Sequence, residues 1–111
     1  MESMRQYERV SFMCKLELTA LSGGPAQPAR ALDLSLGGVG AVSQAAFSVG
    51  EMVTVAFFLK DSTRGEIKDE VTGRVARLAA DVDANTLGIQ FLNPLNEDEH
   101  ARLVHKLLMS I

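Results

Sequence analysis

Residues 11–20, SFMCKLELTA, alternate without a break. Phe12, Cys14, Leu16, Leu18 and Ala20 fall on one side; Ser11, Met13, Lys15, Glu17 and Thr19 fall on the other. Period two means a strand with one buried face, and the pattern recurs along the chain. MVTVAFFLK places Val53, Val55, Phe57 and Leu59 together, and TLGIQF aligns Leu87, Ile89 and Phe91. IKDEVTGRVARLA carries Val71 and Val75 on one face, with Gly73 marking a bend. ARALDLSLGGVGAV reads as two strands about a tight glycine turn or bulge at SLGG. Between these runs lie breakers: LSGGPAQPA, a connection ending in a turn at Gly50, the polar hairpin loop DSTRGE, and the turn DVDAN. Short strands separated by turns predict an antiparallel sheet closed as a barrel.

The period changes near the end. Asn96 is placed as an N-cap with Glu99 three residues later, the capping-box pattern. Acidic residues fill the first turn, where the helix dipole favours them. Leu103, Val104, Leu107, Leu108 and Ile111 then form one apolar stripe. This predicts an amphipathic helix over 96–110 lying on an open face or mouth of the barrel.

The length of 111 residues suits a single domain, 1–111. Apolar residues make up 47% and Trp is absent, so the core is built from Val, Leu, Ala and a few Phe. A formal charge of −3 argues against wholesale binding of a nucleic acid polymer, and any anion site must be local. The single cysteine excludes an internal disulfide framework and a two-Cys or four-Cys metal site. Cys14 falls on the apolar face of its strand and reads as a small core residue. The N-terminus has no apolar signal core, and no window reaches the length of a membrane span. The expectation is a soluble, cytoplasmic protein with no membrane insertion. Catalysis is not indicated. No nucleophile has a neighbouring base, no GxxxxGK[ST] loop is present, and His100 and His105 are five apart, off a shared helical face.

Two short stretches stand apart from this scaffold. MRQYERV holds Arg5 and Arg9 four apart just before the first strand. DLSLGG holds Asp33 and Ser35 two apart, on one side of an extended backbone, followed by Gly37 and Gly38. Glycines let the backbone turn tightly or approach something closely. A carboxylate accepts hydrogen bonds from the N–H edge of guanine. Arginine forks onto phosphate oxygens or the N7/O6 edge of guanine and stacks on purines. The combined set suits a small guanine nucleotide better than a polymer. Read blandly, the arginines belong to a solvated tail and DLSLGG is a turn whose side chains cap backbone groups. Arg30, Arg74 and Arg77 read as solvated strand positions able to add positive potential.

Arg5 to Arg9 matches RxxxR, and Asp33 to Gly38 matches [D/N]xSxxG, one strand and one loop later. Together they resemble the PilZ domain family, receptors for the bacterial second messenger cyclic di-GMP. TLGIQFLNP is similar to the family's closing strand, so the resemblance covers nearly the whole chain. It implies a mostly β fold: a six-stranded antiparallel β-barrel with a C-terminal α-helix. It implies that a flexible segment, 1–10, closes Arg5 and Arg9 over cyclic di-GMP. Asp33, Ser35, Gly37 and Gly38 then hold the ligand from the barrel surface. No cofactor and no metal are implied. The partner is an unidentified effector protein, and the receptor is a monomer or weak homodimer regulating motility, adhesion or exopolysaccharide output. One departure matters: many members carry a further arginine before the first, and this chain has Met4. The alternative is an interaction module of the same fold that binds no nucleotide.

Overall fold

The computed structural model describes residues 8–109. Arg5 and Ile111 lie outside the described residues. Six strands run in order: β1 Val10–Ala20, β2 Gln27–Ser35, β3 Gly38–Ser43, β4 Met52–Asp61, β5 Gly65–Ala80 and β6 Asn85–Phe91. One helix follows, α1 Glu97–Met109. The strands close into a barrel ordered β1-β2-β3-β6-β5-β4, every neighbouring pair antiparallel. The mostly β fold, the six strands and the terminal helix match the reading of the alternation.

The alternation works because one face of each strand fills the barrel. Leu16, Leu18, Val39, Ala41, Val53, Val55, Phe57, Val75, Leu87 and Ile89 are buried within one core. Phe57 meets Phe91 edge to face at 6.3 Å between ring centres. Each mouth of the barrel is stopped by a different element. At one mouth the β3–β4 connection carries Phe47 inward, a burial the strand pattern does not announce. Gly50, with φ of 95°, turns that connection back toward β4. At the other mouth α1 supplies Leu103, Val104 and Leu107, and the preceding loop supplies Leu95.

The cap on α1 is as read: the Glu99 N–H donates to Asn96 Oδ1 at 2.9 Å, and the His100 N–H donates to the Asn96 carbonyl. The stripe is narrower than the sequence pattern. Leu108 is 60% exposed, because the helix meets the barrel along Leu103 and Leu107 and leaves its flank in water. His100 departs from helical geometry, with φ −133° and ψ 48°, so the first turn kinks against the rest.

The β4–β5 hairpin outruns the barrel. β4 pairs with β5 from Met52↔Arg74 to Asp61↔Gly65, whereas β6 reaches β5 only from Gly73 onward. On this ribbon Asp69 shares the side of Val71 and Val75, and His100 and Arg102 of α1 lie near it. Burial pushes the Asp69 carboxyl above its usual range, while His100, a backbone hydrogen bond and Arg102 pull it partly back.

The packing can be tested at two positions. Leu103→Ala removes a fully buried side chain and should cost about 2–5 kcal/mol in urea unfolding. A loss below a few tenths would mean that α1 contributes nothing to the core. For Asp69 the folded-state pKa is raised, so its contribution to stability is present at acid pH and is lost as pH rises through that value. Asp69→Asn should therefore be more stable than the parent at pH 7, and the gain should vanish in acid. Thermal melts across pH check the sign.

Candidate functional site

The β2–β3 hairpin builds the site. β2 ends at Ser35, β3 begins at Gly38, and Leu36 and Gly37 form the loop. Neither Gly37 nor Gly38 adopts positive φ. Gly38 is required for space: a Cβ there would press on the Ile89 carbonyl oxygen of β6. The motif's last glycine is thus a condition for β3 and β6 to pair. Ser35 is buried, and its hydroxyl accepts the Gly37 N–H at 3.2 Å while facing the Gly38 carbonyl at 3.5 Å. It pins the loop, as in the bland reading of DLSLGG.

Asp33 is half-buried on the outer face. Its Oδ1 accepts the Gly40 N–H at 3.2 Å and a charged hydrogen bond from Arg9 Nη1. Arg9 and Asp33 are 24 residues apart, so the fold brings the two motifs together. The pair is open to water, with side chains 43% and 38% exposed. An exposed ion pair of this kind is worth roughly 0–1 kcal/mol. Arg9 is therefore held loosely and can be drawn off by a stronger anion. Of the expected site residues, Arg9, Asp33, Ser35, Gly37 and Gly38 gather around one hairpin, and Arg5 falls outside the described residues.

Three residues outside the expected set belong to the same surface. Register places Asp33, Gly40, Gly88 and Arg77 in one row across β2, β3, β6 and β5. A Cβ on Gly40 would meet both carboxylate oxygens of Asp33 at 2.8 Å. A Cβ on Gly88 would meet Arg77 Nε at 2.9 Å and Nη2 at 3.0 Å. The carboxylate and the guanidinium thus lie over two adjacent bare backbones. The available sequence signal was glycine at outward strand positions: Gly38 and Gly40 two apart, and Gly88 between inward Leu87 and Ile89. Arg74, two pairs along the β5–β6 ladder, is engaged with Gln90 Oε1 at 3.2 Å.

Cys14 is poorly placed to act as a nucleophile. Burial pushes the Cys14 thiol up to about 11, against smaller opposing effects of a hydrogen bond from the Phe58 backbone and the charge of Lys106. The reactive thiolate is scarce at neutral pH. Among the described residues no group of three or more His, Cys, Asp or Glu is placed to hold a metal ion. No described helix is long and apolar enough to cross a membrane.

Comparison with known proteins agrees with the fold. The family model described as "PilZ domain" matches residues 3–108. Similar solved structures include the Bacillus subtilis inhibitor of motility MotI/DgrA, with TM-score 0.74 and 17% identity over 97% of this chain and 52% of that one. The PilZ domain of Escherichia coli YcgR with c-di-GMP gives 0.72 and 17%, over 97% and 92%. The PilZ domain of CeSA from a cellulose-synthesizing bacterium gives 0.64 and 21%, over 91% and 98%. This chain spans about half of MotI and nearly all of the two isolated domains. A search of curated proteins finds no match.

Gly38→Ala tests the structural half of the motif. Overpacking against β6 should lower stability by about 1–3 kcal/mol in chemical denaturation without any ligand present. An unchanged midpoint would show that the glycine serves only binding.

Proposed function

The chain belongs to the PilZ domain family, and we propose that it is a cytoplasmic receptor for cyclic di-GMP that passes the signal to a partner protein. The observation that carries this reading is the Arg9–Asp33 contact, which joins RxxxR to [D/N]xSxxG on the outer face of the barrel. Similarity to the YcgR PilZ domain, whose structure is one with c-di-GMP, supports it.

The proposed steps use only residues of this chain. The ligand's phosphates outbid Asp33 for Arg9, since the exposed pair holds it weakly. Arg5 joins from the N-terminal segment, and both guanidiniums fork onto phosphate or guanine. Asp33, freed of Arg9, accepts N–H groups of a guanine, and Ser35, Gly37 and Gly38 keep the hairpin in shape beneath it. Ordering the segment costs free energy, which limits affinity and changes the surface presented to a partner. With Met4 in place of a further arginine, one ligand per chain is the expected stoichiometry. Binding is the function, with no bond cleaved. Similarity to an inhibitor of motility and to a PilZ domain from a cellulose-synthesizing bacterium supports motility, adhesion or exopolysaccharide output. The receptor acts as a monomer or weak homodimer.

Calorimetric titration with cyclic di-GMP tests the proposal. The wild type should bind saturably, one ligand per chain, with micromolar affinity. Arg9→Ala should weaken binding by about 30-fold or more, the size of a lost charge-paired contact of about 2 kcal/mol. A wild type that ignores high micromolar ligand would leave the barrel as a protein-interaction module.

A further inference from the structure

The row Asp33–Gly40–Gly88–Arg77 owes its two charged ends to two bulges. Reading along β2, Arg30 and Ala31 face Val42 and Ala41 of β3, so an unbroken register would set Leu32 against Gly40. An extra residue intervenes, and Asp33 stands there instead. Along β5, Gly73, Arg74 and Val75 face Phe91, Gln90 and Ile89 of β6, so an unbroken register would set Ala76 against Gly88. Again one residue is added, and Arg77 takes the place. Bulges re-aim side chains in this way and concentrate beside binding sites. Here each exchanges an apolar residue for a charged one, at the two ends of a single row.

The middle of the row carries no side chain of its own, and Asp33 and Arg77 fold in over it. Gly40 and Gly88 are cross-strand neighbours that face outward between inward Val39, Ala41, Leu87 and Ile89. The backbones of β2 and β5 stand three strand spacings apart, about 14 Å. The two glycine backbones are therefore roofed by an acceptor reaching in from β2 and a donor fork reaching in from β5. Arg77 is exposed, so its guanidinium has open solvent into which to swing off Gly88.

We propose that Arg77 is a ligand-contacting residue that sets base identity, reading a purine that enters between Asp33 and Arg77 when the guanidinium swings off Gly88. This rests on the reading of the site as a guanine-nucleotide site. Guanine offers N–H donors on one edge and the O6 and N7 acceptors on another. Asp33 takes the donors, and the Arg77 fork takes O6 and N7. Adenine inverts both relations in part: it lacks O6, presents an N–H₂ group where the fork needs an acceptor, and offers no N1–H to the carboxylate. The pair at the two ends of the row thus rejects adenine on both sides.

The test compares cyclic di-GMP with cyclic di-AMP on the full chain by calorimetry, for the wild type, Arg77→Ala and Arg77→Gln. Circular dichroism confirms that each variant is folded. The wild type should prefer the guanine ligand by at least about 100-fold. Arg77→Ala should lose about 10-fold or more in cyclic di-GMP affinity, with the preference narrowed by a similar factor. Arg77→Gln, whose amide matches the adenine edge, should narrow it further. Equal weakening of both ligands by Arg77→Ala would show a charge acting on phosphate and would overturn the base-reading role. So would unchanged binding in that variant. A wild type that binds neither ligand overturns the site reading as well, which separates the two failures.

Discussion

Pairing of β3 with β6 is the contact on which the rest depends. It closes the sheet, and it does so between strands far apart in the chain. Closure gives the inward side chains a common interior and leaves the backbone groups of β3 and β6 satisfied on both sides. It also sets Gly40 beside Gly88 and seats Gly38 against Ile89. The candidate site is consequently a by-product of the seam. A side chain larger than hydrogen at Gly38 disturbs the barrel and the hairpin together.

The electrostatics of the site follow from its exposure. A buried Arg9–Asp33 pair would be costly to separate, since removing one partner strands the other in a poor solvent for charge. On the outer face, water screens both partners and replaces either one at little cost. The contact orients Arg9 beside the β2–β3 hairpin without committing it there. Asp33 keeps its second bond, from the Gly40 N–H, and so remains in position when Arg9 leaves.

Much of this was legible in the residues. Period-two runs marked the strands, and the change of period at Asn96 marked the helix and its cap. The two motifs identified the hairpin where Arg9, Asp33, Ser35, Gly37 and Gly38 gather. What stayed hidden depends on register. A bulge adds one residue without altering composition, so neither Leu32 nor Ala76 signalled that Asp33 and Arg77 would share a row. Arg77 accordingly looked like any solvated strand arginine. The exposure of Leu108 was also hidden, because a helix pattern gives the apolar arc and the barrel decides how much of it is covered. Phe47 sat in a stretch with no period at all, and only the crossing of β3 to β4 over the mouth buries it.

The β4–β5 ribbon that outruns the barrel has a bearing on self-association. From Glu66 to Val71, β5 runs ahead of β6 and, among the described residues, its ladder pairing is on the β4 side alone. Such an edge is a template on which a second chain can add a strand. Here the segment reads EIKDEV, with Glu66, Lys68 and Glu70 exposed and Lys68 bridged to Glu70 at 3.5 Å. A strand docking there would have to strip water from alternating charges, and a second copy in register would meet its own like charges. The alternating charges therefore disfavour edge-to-edge stacking of one ribbon on another.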